Sequence, residues 1–319
     1  MTPSRSCSTP PATSGRPKRS AAGSSTPFRT PPNPRTLSTL RTKEPPVTDT
    51  IDTAAPALKA VLLSPRRDLG DRPLLVLGPS LGTSTVLWNE TAALLADEYD
   101  VIGWDLPGHG VSHAADHPFH MEDLATSVLA LVDSIAPGAR FHYAGVSLGG
   151  AVGLQLALDH GDRLLGLSVQ CSGPKLATEE SWLDRAGTVR TQGTAVMIQG
   201  SAQRWFAAGF MERRPEQSSR LLHVLRDADR NSYAACCEAL AAFDVRDRLS
   251  GISVPVQLVA GVEDQVAPPS LAEETAAAIT AGGGTATVEV LDGVAHLAPT
   301  EAPERVAALL RSFLQEVSA

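Results

Sequence analysis

This 319-residue sequence contains few cysteines, no long apolar run and fewer basic than acidic residues. The cysteines form no Cys-x-x-Cys pair, so neither a disulfide framework nor a structural zinc site is predicted. No run approaches the roughly 18 apolar residues that a membrane helix needs, and the N-terminus lacks the apolar stretch of a secretory signal. We therefore expect a cytoplasmic protein in which every thiol is reduced: Cys7, Cys171, Cys236 and Cys237.

Charge is divided unevenly along the chain. Residues 1–50 contain 8 Lys+Arg and 2 Asp+Glu, and subtracting these from the totals of 27 and 35 leaves 19 against 33 in the remainder. A surface this acidic repels phosphate groups, so a nucleic-acid partner is not expected.

The first 50 residues also differ from the rest in composition. They contain 10 of the 24 prolines, much Ser and Thr and almost no large apolar side chains, so they cannot bury enough surface to offset the entropy lost on ordering. We predict a disordered basic tail over residues 1–50 with no function of its own. A targeting peptide, or a start codon assigned too far upstream, would look the same.

From about residue 57, short apolar runs alternate with helical periodicity, which predicts an α/β fold with a mostly parallel sheet flanked by helices. Apolar residues between positions 121 and 135 recur at i, i+3, i+4 and i+7, the spacing of an amphipathic helix packed on a sheet. The predicted strands are residues 57–63, 74–77, 101–104, 141–146, 165–170, 256–260 and 287–291.

Residues 176–248 break this alternation, because they show helical patterns without intervening strands. We predict a helical cap here, inserted between two parts of the α/β core at residues 51–175 and 249–319. The stretch holds 6 of the chain's 14 aromatic residues, as expected if the cap closes a substrate pocket. Alternatively, the aromatic side chains form only a small core within the cap. They are Trp182, Trp205, Phe206, Phe210, Tyr233 and Phe243.

The sequence Gly145-Val146-Ser147-Leu148-Gly149 matches Gly-x-Ser-x-Gly between an apolar run and a helical run. A strand-to-helix turn this tight strains the serine backbone and leaves no room for a Cβ at the flanking positions. The turn pushes the serine Oγ out at the carboxyl edge of the sheet, where the N-terminus of the next helix favours negative charge. We therefore predict that Ser147 is a catalytic nucleophile.

A serine hydroxyl becomes nucleophilic only when a nearby base removes its proton, so a histidine and a carboxylate are required as well. Of the eight histidines, His296 alone follows a late predicted strand, and Asp264 lies in the loop after the strand before it. Both loops open at the sheet edge that carries Ser147. We predict the triad Ser147, Asp264 and His296, with Glu263 as the alternative acid because it lies one position away.

Two N–H donors are needed to stabilise the oxyanion that develops during acyl transfer. The backbone N–H of Leu148 directly follows the nucleophile, and we expect the second donor to be the N–H of Leu81 in the loop 78–83. The glycines of this loop let it fold back towards the serine turn, although a turn of purely structural use would look alike.

With these motifs, the sequence resembles the 3-oxoadipate enol-lactonase family of α/β-hydrolases over roughly residues 57–317. The motifs that carry the resemblance are Ser80-Leu81-Gly82-Thr83, the serine motif at 145–150, Trp182-x-x-Arg185, Trp205-Phe206 and, most discriminating, residues 233–240, which read Tyr-Ala-Ala-Cys-Cys-Glu-Ala-Leu. Two positions depart from the family pattern: Pro79 and Pro107 stand where an asparagine and an arginine are usual.

The resemblance implies an α/β-hydrolase fold and a serine hydrolase that opens 3-oxoadipate enol-lactone in the β-ketoadipate pathway of aromatic-compound degradation. It implies no cofactor or metal ion, and no partner besides the small lactone. Because the lactone carries a carboxylate, an acidic protein needs a local cation; Arg185 and Arg190 are the candidates, with a surface role for each as the alternative. Trp182 and Trp205 are expected to form an apolar wall.

Two other functions fit the same motifs. A carboxylesterase or a C–C bond hydrolase would use the same fold and the same triad on another small substrate. A non-catalytic binding protein of this fold would need no triad, so an intact Ser, Asp and His in the expected order disfavours it.

Overall fold

The computed structural model describes residues 55–64, 70, 72–115 and 117–318. The tail predicted for residues 1–50 lies outside them. Within the part of the chain that the structure describes, no helix is long and apolar enough to cross a membrane.

Seven strands in the described residues form one sheet in the order β1-β3-β2-β4-β5-β6-β7. They are β1 (Ala60–Leu62), β2 (Leu74–Gly78), β3 (Asp100–Trp104), β4 (Phe141–Val146), β5 (Leu164–Gln170), β6 (Val256–Gly261) and β7 (Ala286–Leu291). Every neighbouring pair is parallel except β1 and β3. The predicted mostly parallel sheet is therefore confirmed.

The burial of the strands follows their sequence patterns. Strands β2, β3, β4 and β6 are buried at every residue, as expected for continuous apolar runs in a sheet that is covered on both faces. Strand β7 lies at the edge of the sheet, and it exposes Thr287, Glu289 and Val290 to solvent. The core therefore lies along the inner strands.

The chain reverses its direction across the sheet at β2, because β3 lies on one side of β2 and β4 on the other. In α/β sheets, a crevice opens at the carboxyl ends of the strands at such a point. The pairing of β2 with β4 ends with Gly78 opposite Gly145, and the pairing of β4 with β5 ends with Val146 opposite Gln170. This register places the loop after β2 beside Ser147.

The helices outside residues 176–248 are α1 (Asn89–Leu95), α2 (Met121–Ile135), α3 (Leu148–Asp159), α9 (Pro269–Ala281), α10 (Ala298–Glu301) and α11 (Pro303–Glu316). Helix α2 matches the predicted amphipathic helix, and its start is fixed by Asp123 Oδ2, which accepts the N–H of His120 over 2.8 Å. Helices α9 and α11 begin with prolines, which lose no hydrogen bond at that position.

Residues 176–248, which we call the proposed cap, contain five α-helices, and no strand lies between β5 and β6 in the described residues. They are α4 (Glu179–Gln192), α5 (Ile198–Trp205), α6 (Phe210–Arg213), α7 (Pro215–Asp227) and α8 (Arg230–Ala242). Thr178 caps α4 by accepting the N–H of Ser181, and Asp229 caps α8 by accepting the N–H of Ser232. Helices α4 and α8 pack along each other.

Candidate active site

Ser147 lies between β4 and α3 with φ 54° and ψ −117°, one of three non-glycine residues with positive φ among those described. Residues other than glycine rarely adopt this backbone conformation, so the surrounding structure must stabilise it. The N–H of Ser147 donates to Gln170 O over 2.9 Å, and its C=O accepts from Ser172 Oγ over 2.6 Å. The strained turn predicted from Gly-x-Ser-x-Gly is present.

Gly145 and Gly149 are required by close backbone contacts. A Cβ on Gly145 would lie 2.2 Å from Gly149 O, and a Cβ on Gly149 would lie 2.7 Å from Pro79 O. The N–H of Gly149 also donates to Pro79 O over 2.9 Å. The absence of side chains at these positions therefore brings the loop after β2 against the first turn of α3.

His296 and Asp264 are joined by a hydrogen bond of 2.9 Å between Nδ1 and Oδ2, and both residues are almost fully buried. Asp264 Oδ1 accepts the N–H groups of Val266 and Ala267 over 2.7 Å and 3.1 Å. These bonds fix the carboxylate, and the carboxylate fixes the imidazole ring with Nε2 turned away from it.

Glu263, the alternative acid, faces the proposed cap instead. Its Oε2 accepts the N–H of Ala208 over 2.9 Å. Of the two neighbouring carboxylates, the structure therefore brings only Asp264 to the imidazole.

The turn after β5 connects the serine turn to the histidine loop. Ser172 bonds the C=O of Ser147, while the Sγ of the preceding Cys171 contacts Ala295 O at 3.5 Å. No hydrogen bond from Ser147 Oγ to the imidazole is present among the described residues. Such bonds are often long or misaligned before substrate binds, and they tighten in the complex.

The predicted oxyanion donors lie on the two segments that meet at this turn. The N–H of Leu148 is the first of α3 and has no acceptor inside the helix. Leu81 lies in the loop after β2, which is shaped by the Thr83 side chain bonding to Ser80 O over 2.7 Å and by Gly82 at φ 79°. Their role in binding an oxyanion stays a prediction.

Trp205 joins the proposed cap to the histidine loop and to the loop after β2. Its C=O accepts the N–H groups of His296 and Leu297 over 3.3 Å and 3.2 Å. Its ring would lie 3.4 Å from a Cβ placed on Gly82, and the ring of Tyr233 would lie 3.3 Å from the same atom. Trp205 therefore lies between the histidine loop and the loop after β2, where a pocket wall is expected.

Phe206 and Phe210 fit the alternative predicted for the aromatic residues of the cap. Their rings stack with centroids 5.2 Å apart, and Trp205 packs edge-on against Phe206. These two phenylalanines form a small core within the proposed cap, whereas Trp205 also faces the catalytic loops.

Arg185 and Arg204 place two positive charges close together in the proposed cap. The guanidinium of Arg185 lies over the Trp182 ring, 4.5 Å from its centroid. Burial, together with the nearby Arg185, lowers the pKa of Arg204. Burial raises the pKa of Tyr233 while both guanidinium groups oppose that rise, so the phenol lies beside them. Neither arginine forms an ion pair with a carboxylate of the described residues.

Arg190, the other predicted cation, is not brought to the site. Its two terminal nitrogens donate to the two oxygens of Glu238, one of them over 2.8 Å. The side chains are 41% and 34% exposed. The structure therefore shows Arg190 in a surface ion pair, the alternative role that the sequence left open.

Glu301, which the sequence patterns did not single out, holds the histidine loop to the proposed cap. Its Oε1 accepts the N–H groups of Ala295 (3.0 Å) and Leu297 (3.2 Å), and its Oε2 accepts the N–H of Ala207 (2.6 Å). Burial raises the pKa of Glu301 to about 7, although these bonds and the nearby His296 lower it. A carboxylate five residues after a histidine carries no signal until the fold shows its contacts.

The described cysteines are free, as expected, and all of them are buried: Cys171, Cys236 and Cys237. Burial raises the pKa of each thiol, so all three are neutral. In residues 55–64, 70, 72–115 and 117–318, no group of three or more His, Cys, Asp or Glu side chains is placed to hold a metal ion.

The sheet order and the strained serine turn define an α/β-hydrolase. A sequence profile described as the alpha/beta hydrolase fold matches residues 73–303. The solved enol-lactonase from Burkholderia xenovorans LB400 is similar in structure, with a TM-score of 0.76, 32% sequence identity and coverage of 81% of this chain and 96% of that chain.

Two enol-lactonases of Acinetobacter baylyi are similar in sequence. The protein named 3-oxoadipate enol-lactonase 2 is 37% identical over 235 residues, which cover 73% of this chain and 85% of the relative. The protein named 3-oxoadipate enol-lactonase 1 is 30% identical over 245 residues, which cover 77% and 90%. The chain therefore belongs to the 3-oxoadipate enol-lactonase family of α/β-hydrolases.

Proposed function

We propose that this hydrolase opens 3-oxoadipate enol-lactone to 3-oxoadipate through an acyl-enzyme on Ser147, in the β-ketoadipate pathway and in the cytoplasm. The observation that carries the proposal is the buried His296–Asp264 pair at the sheet edge where Ser147 is held in a strained turn. The names of the relatives support the choice of substrate.

In the first half of the reaction, Ser147 Oγ attacks the lactone carbonyl while His296 Nε2 takes its proton. Asp264 stabilises the imidazolium and keeps the ring in the required tautomer. The N–H groups of Leu81 and Leu148 stabilise the oxyanion. The ring C–O bond then breaks and its oxygen leaves as an enolate. The enolate takes the proton from His296 Nε2, which makes the imidazole neutral again, and the enol tautomerises to the ketone.

In the second half, water hydrolyses the ester bond between the acyl group and Ser147. His296 removes a proton from the water as it attacks the acyl carbonyl, and then returns that proton to Ser147 Oγ as the ester bond breaks. One water molecule is consumed, and 3-oxoadipate is released with two carboxylates.

The substrate carboxylate is held by Arg185, with Arg204 as a second cation beside it. Both lack an ion-pair partner among the described residues, and Arg204 is partly buried, so a bound carboxylate would gain charge-assisted bonds at a site with reduced solvation. Trp182 and Trp205 form the apolar walls. The Tyr233 side chain lies beside these arginines and close to Gly82 in the loop after β2, so the arginines and the proposed oxyanion donor Leu81 lie in one neighbourhood.

The proposal is tested by comparing the full-length protein on the enol-lactone and on an uncharged p-nitrophenyl ester. We expect kcat/KM to be higher for the lactone by at least about a hundredfold, because the ester lacks the carboxylate. A preference for the ester would favour the carboxylesterase alternative. Labelling by a fluorophosphonate that persists in Ser147→Ala would defeat the proposed nucleophile, and no labelling of the wild type would favour a binding protein.

A further inference from the structure

Three hydrogen bonds connect the histidine loop and Glu301 to Trp205 and Ala207 in the proposed cap. Trp205 C=O accepts from the N–H groups of His296 and Leu297. The Glu301 carboxylate accepts from Leu297 on one oxygen and from Ala207 on the other. A third bond to Glu301, from the N–H of Ala295, fixes the other side of His296. The backbone on both sides of the imidazole is thus bonded to one partly buried carboxylate.

The charged and titratable neighbours of Glu301 belong to the same region. His296 lies close enough to lower the pKa of Glu301. Burial, then Asp264, and then Glu301 raise the pKa of Cys171. Glu263 bonds the next residue of the cap segment, Ala208. Adjacent N–H groups of the proposed cap are therefore held by carboxylates that flank the proposed base and the proposed acid.

We propose that Glu301 is a positioning residue: its carboxylate holds the His296 loop and Ala207 in one arrangement, so that the imidazole is aligned with Ser147 only when this part of the proposed cap is docked. The inference rests on the proposed triad but not on the identity of the substrate. Glu301 itself touches neither substrate nor the reacting atoms in this role.

The variant Glu301→Gln tests the proposal because it preserves shape and removes half of the acceptors. A glutamine has one acceptor oxygen and one NH2 group. If the oxygen faces the histidine loop, the NH2 group meets the N–H donor of Ala207; if it faces the cap, the NH2 group meets the donors of Ala295 and Leu297. No orientation satisfies both sides.

We expect the fluorophosphonate labelling rate of Ser147 and the kcat for the lactone to fall together by about tenfold to a hundredfold in Glu301→Gln, because small displacements of a catalytic group have effects of this size. KM should stay within about twofold, since Glu301 does not contact substrate. The matched control is Glu304→Gln, which changes an exposed acid in the first turn of α11. Equal labelling rates in the two variants would overturn the proposal.

A pH series tests whether Glu301 ionises in the folded protein. Burial raises the pKa of Glu301 from its ordinary 4.5 to about 7, so protonation favours the folded state. The wild type should therefore gain thermal stability relative to Glu301→Gln as the pH falls from about 7 towards 4.5, and lose it as the pH rises through about 7. A difference in Tm that does not change with pH would contradict an ionising carboxylate at this position.

Amide hydrogen exchange on the wild type needs no variant, and it keeps the proposal testable if Glu301→Gln does not fold. We expect slow exchange of the N–H groups of Ala207, Ala295 and Leu297. Fast exchange at any of them would overturn the proposal that Glu301 holds these segments. If the wild type is labelled at Ser147 but does not open the lactone, the proposed substrate fails while the role of Glu301 stands.

Discussion

The segments that carry the proposed catalytic residues and the proposed cap are held in place by different kinds of contact. Around the proposed nucleophile, the geometry of the backbone fixes the structure: Ser147 lies in a strained turn, and Gly149 in the first turn of α3 has no room for a side chain. In the proposed cap, pairs of side chains that are distant in sequence hold the helices together, as in the bond from Arg190 to Glu238, 48 positions away. Backbone requirements leave motifs in a sequence, whereas pairings between helices do not.

Helix α4 shows how such side-chain pairs give different roles to two residues of one helix. Arg185 and Arg190 lie five residues apart, which is about 140° around a helix of 3.6 residues per turn. One therefore lies over Trp182 and the other pairs with Glu238 at the surface. The sequence alone does not distinguish the two arginines, but the packing of α8 against α4 does.

The largest effect in this comparison is expected for Gly149→Ala, in the first turn of α3 beside the proposed nucleophile. A Cβ there would lie 2.7 Å from Gly78 C and Pro79 O, which are backbone atoms that cannot rotate away. We expect a loss of stability of about 1–3 kcal/mol and a fall in kcat of roughly a hundredfold as the oxyanion loop shifts. Thermal unfolding and lactone turnover measure the two effects; a variant with unchanged kcat would show that the loop position does not matter for catalysis.

An intermediate effect is expected for Arg185→Ala in the proposed cap. Loss of one charge-assisted bond should raise KM for the anionic lactone by about tenfold to a hundredfold, while kinetics on an uncharged ester stay unchanged. Arg190→Ala is the matched control on the same helix. It should leave KM unchanged, because its guanidinium is bonded to Glu238. A rise in KM for Arg190→Ala, or none for Arg185→Ala, would remove the distinction between the two.

The smallest effect, and the only gain, is expected for Gly187→Ala in α4. A Cβ at this exposed helical position would meet nothing within 4 Å, in contrast to Gly149. Replacing glycine inside a helix should stabilise the protein by about 0.5–1 kcal/mol without altering turnover. Denaturant unfolding measures the change, and a destabilised variant would indicate a contact of this face that the structure does not contain.

The same division sets how much could be predicted from the sequence. The strands were predicted within a few residues, and β4 and α2 coincide with their predicted ranges, because their apolar periodicity is continuous. The bond between His296 and Asp264 follows from the strand order, since both residues leave neighbouring parallel strands.

Other contacts could not be predicted, because each depends on two segments that meet only in the folded chain. Arg204 has no motif, and its proximity to Arg185 arises where the first two helices of the proposed cap approach Tyr233. Glu301 has a meaning only when Ala207 lies beside it. The roles of these residues remain proposals that the kinetic variants address.

Strands β5 and β6 are adjacent and parallel, with Leu167 opposite Val256, although the whole of residues 176–248 lies between them in the chain. An insertion that departs from and returns to neighbouring strands can be exchanged for another without changing the order or register of the sheet. Specificity can therefore diverge by replacing one module, provided that each replacement offers a carbonyl and two adjacent N–H groups at the junction now occupied by Trp205, Ala207 and Ala208.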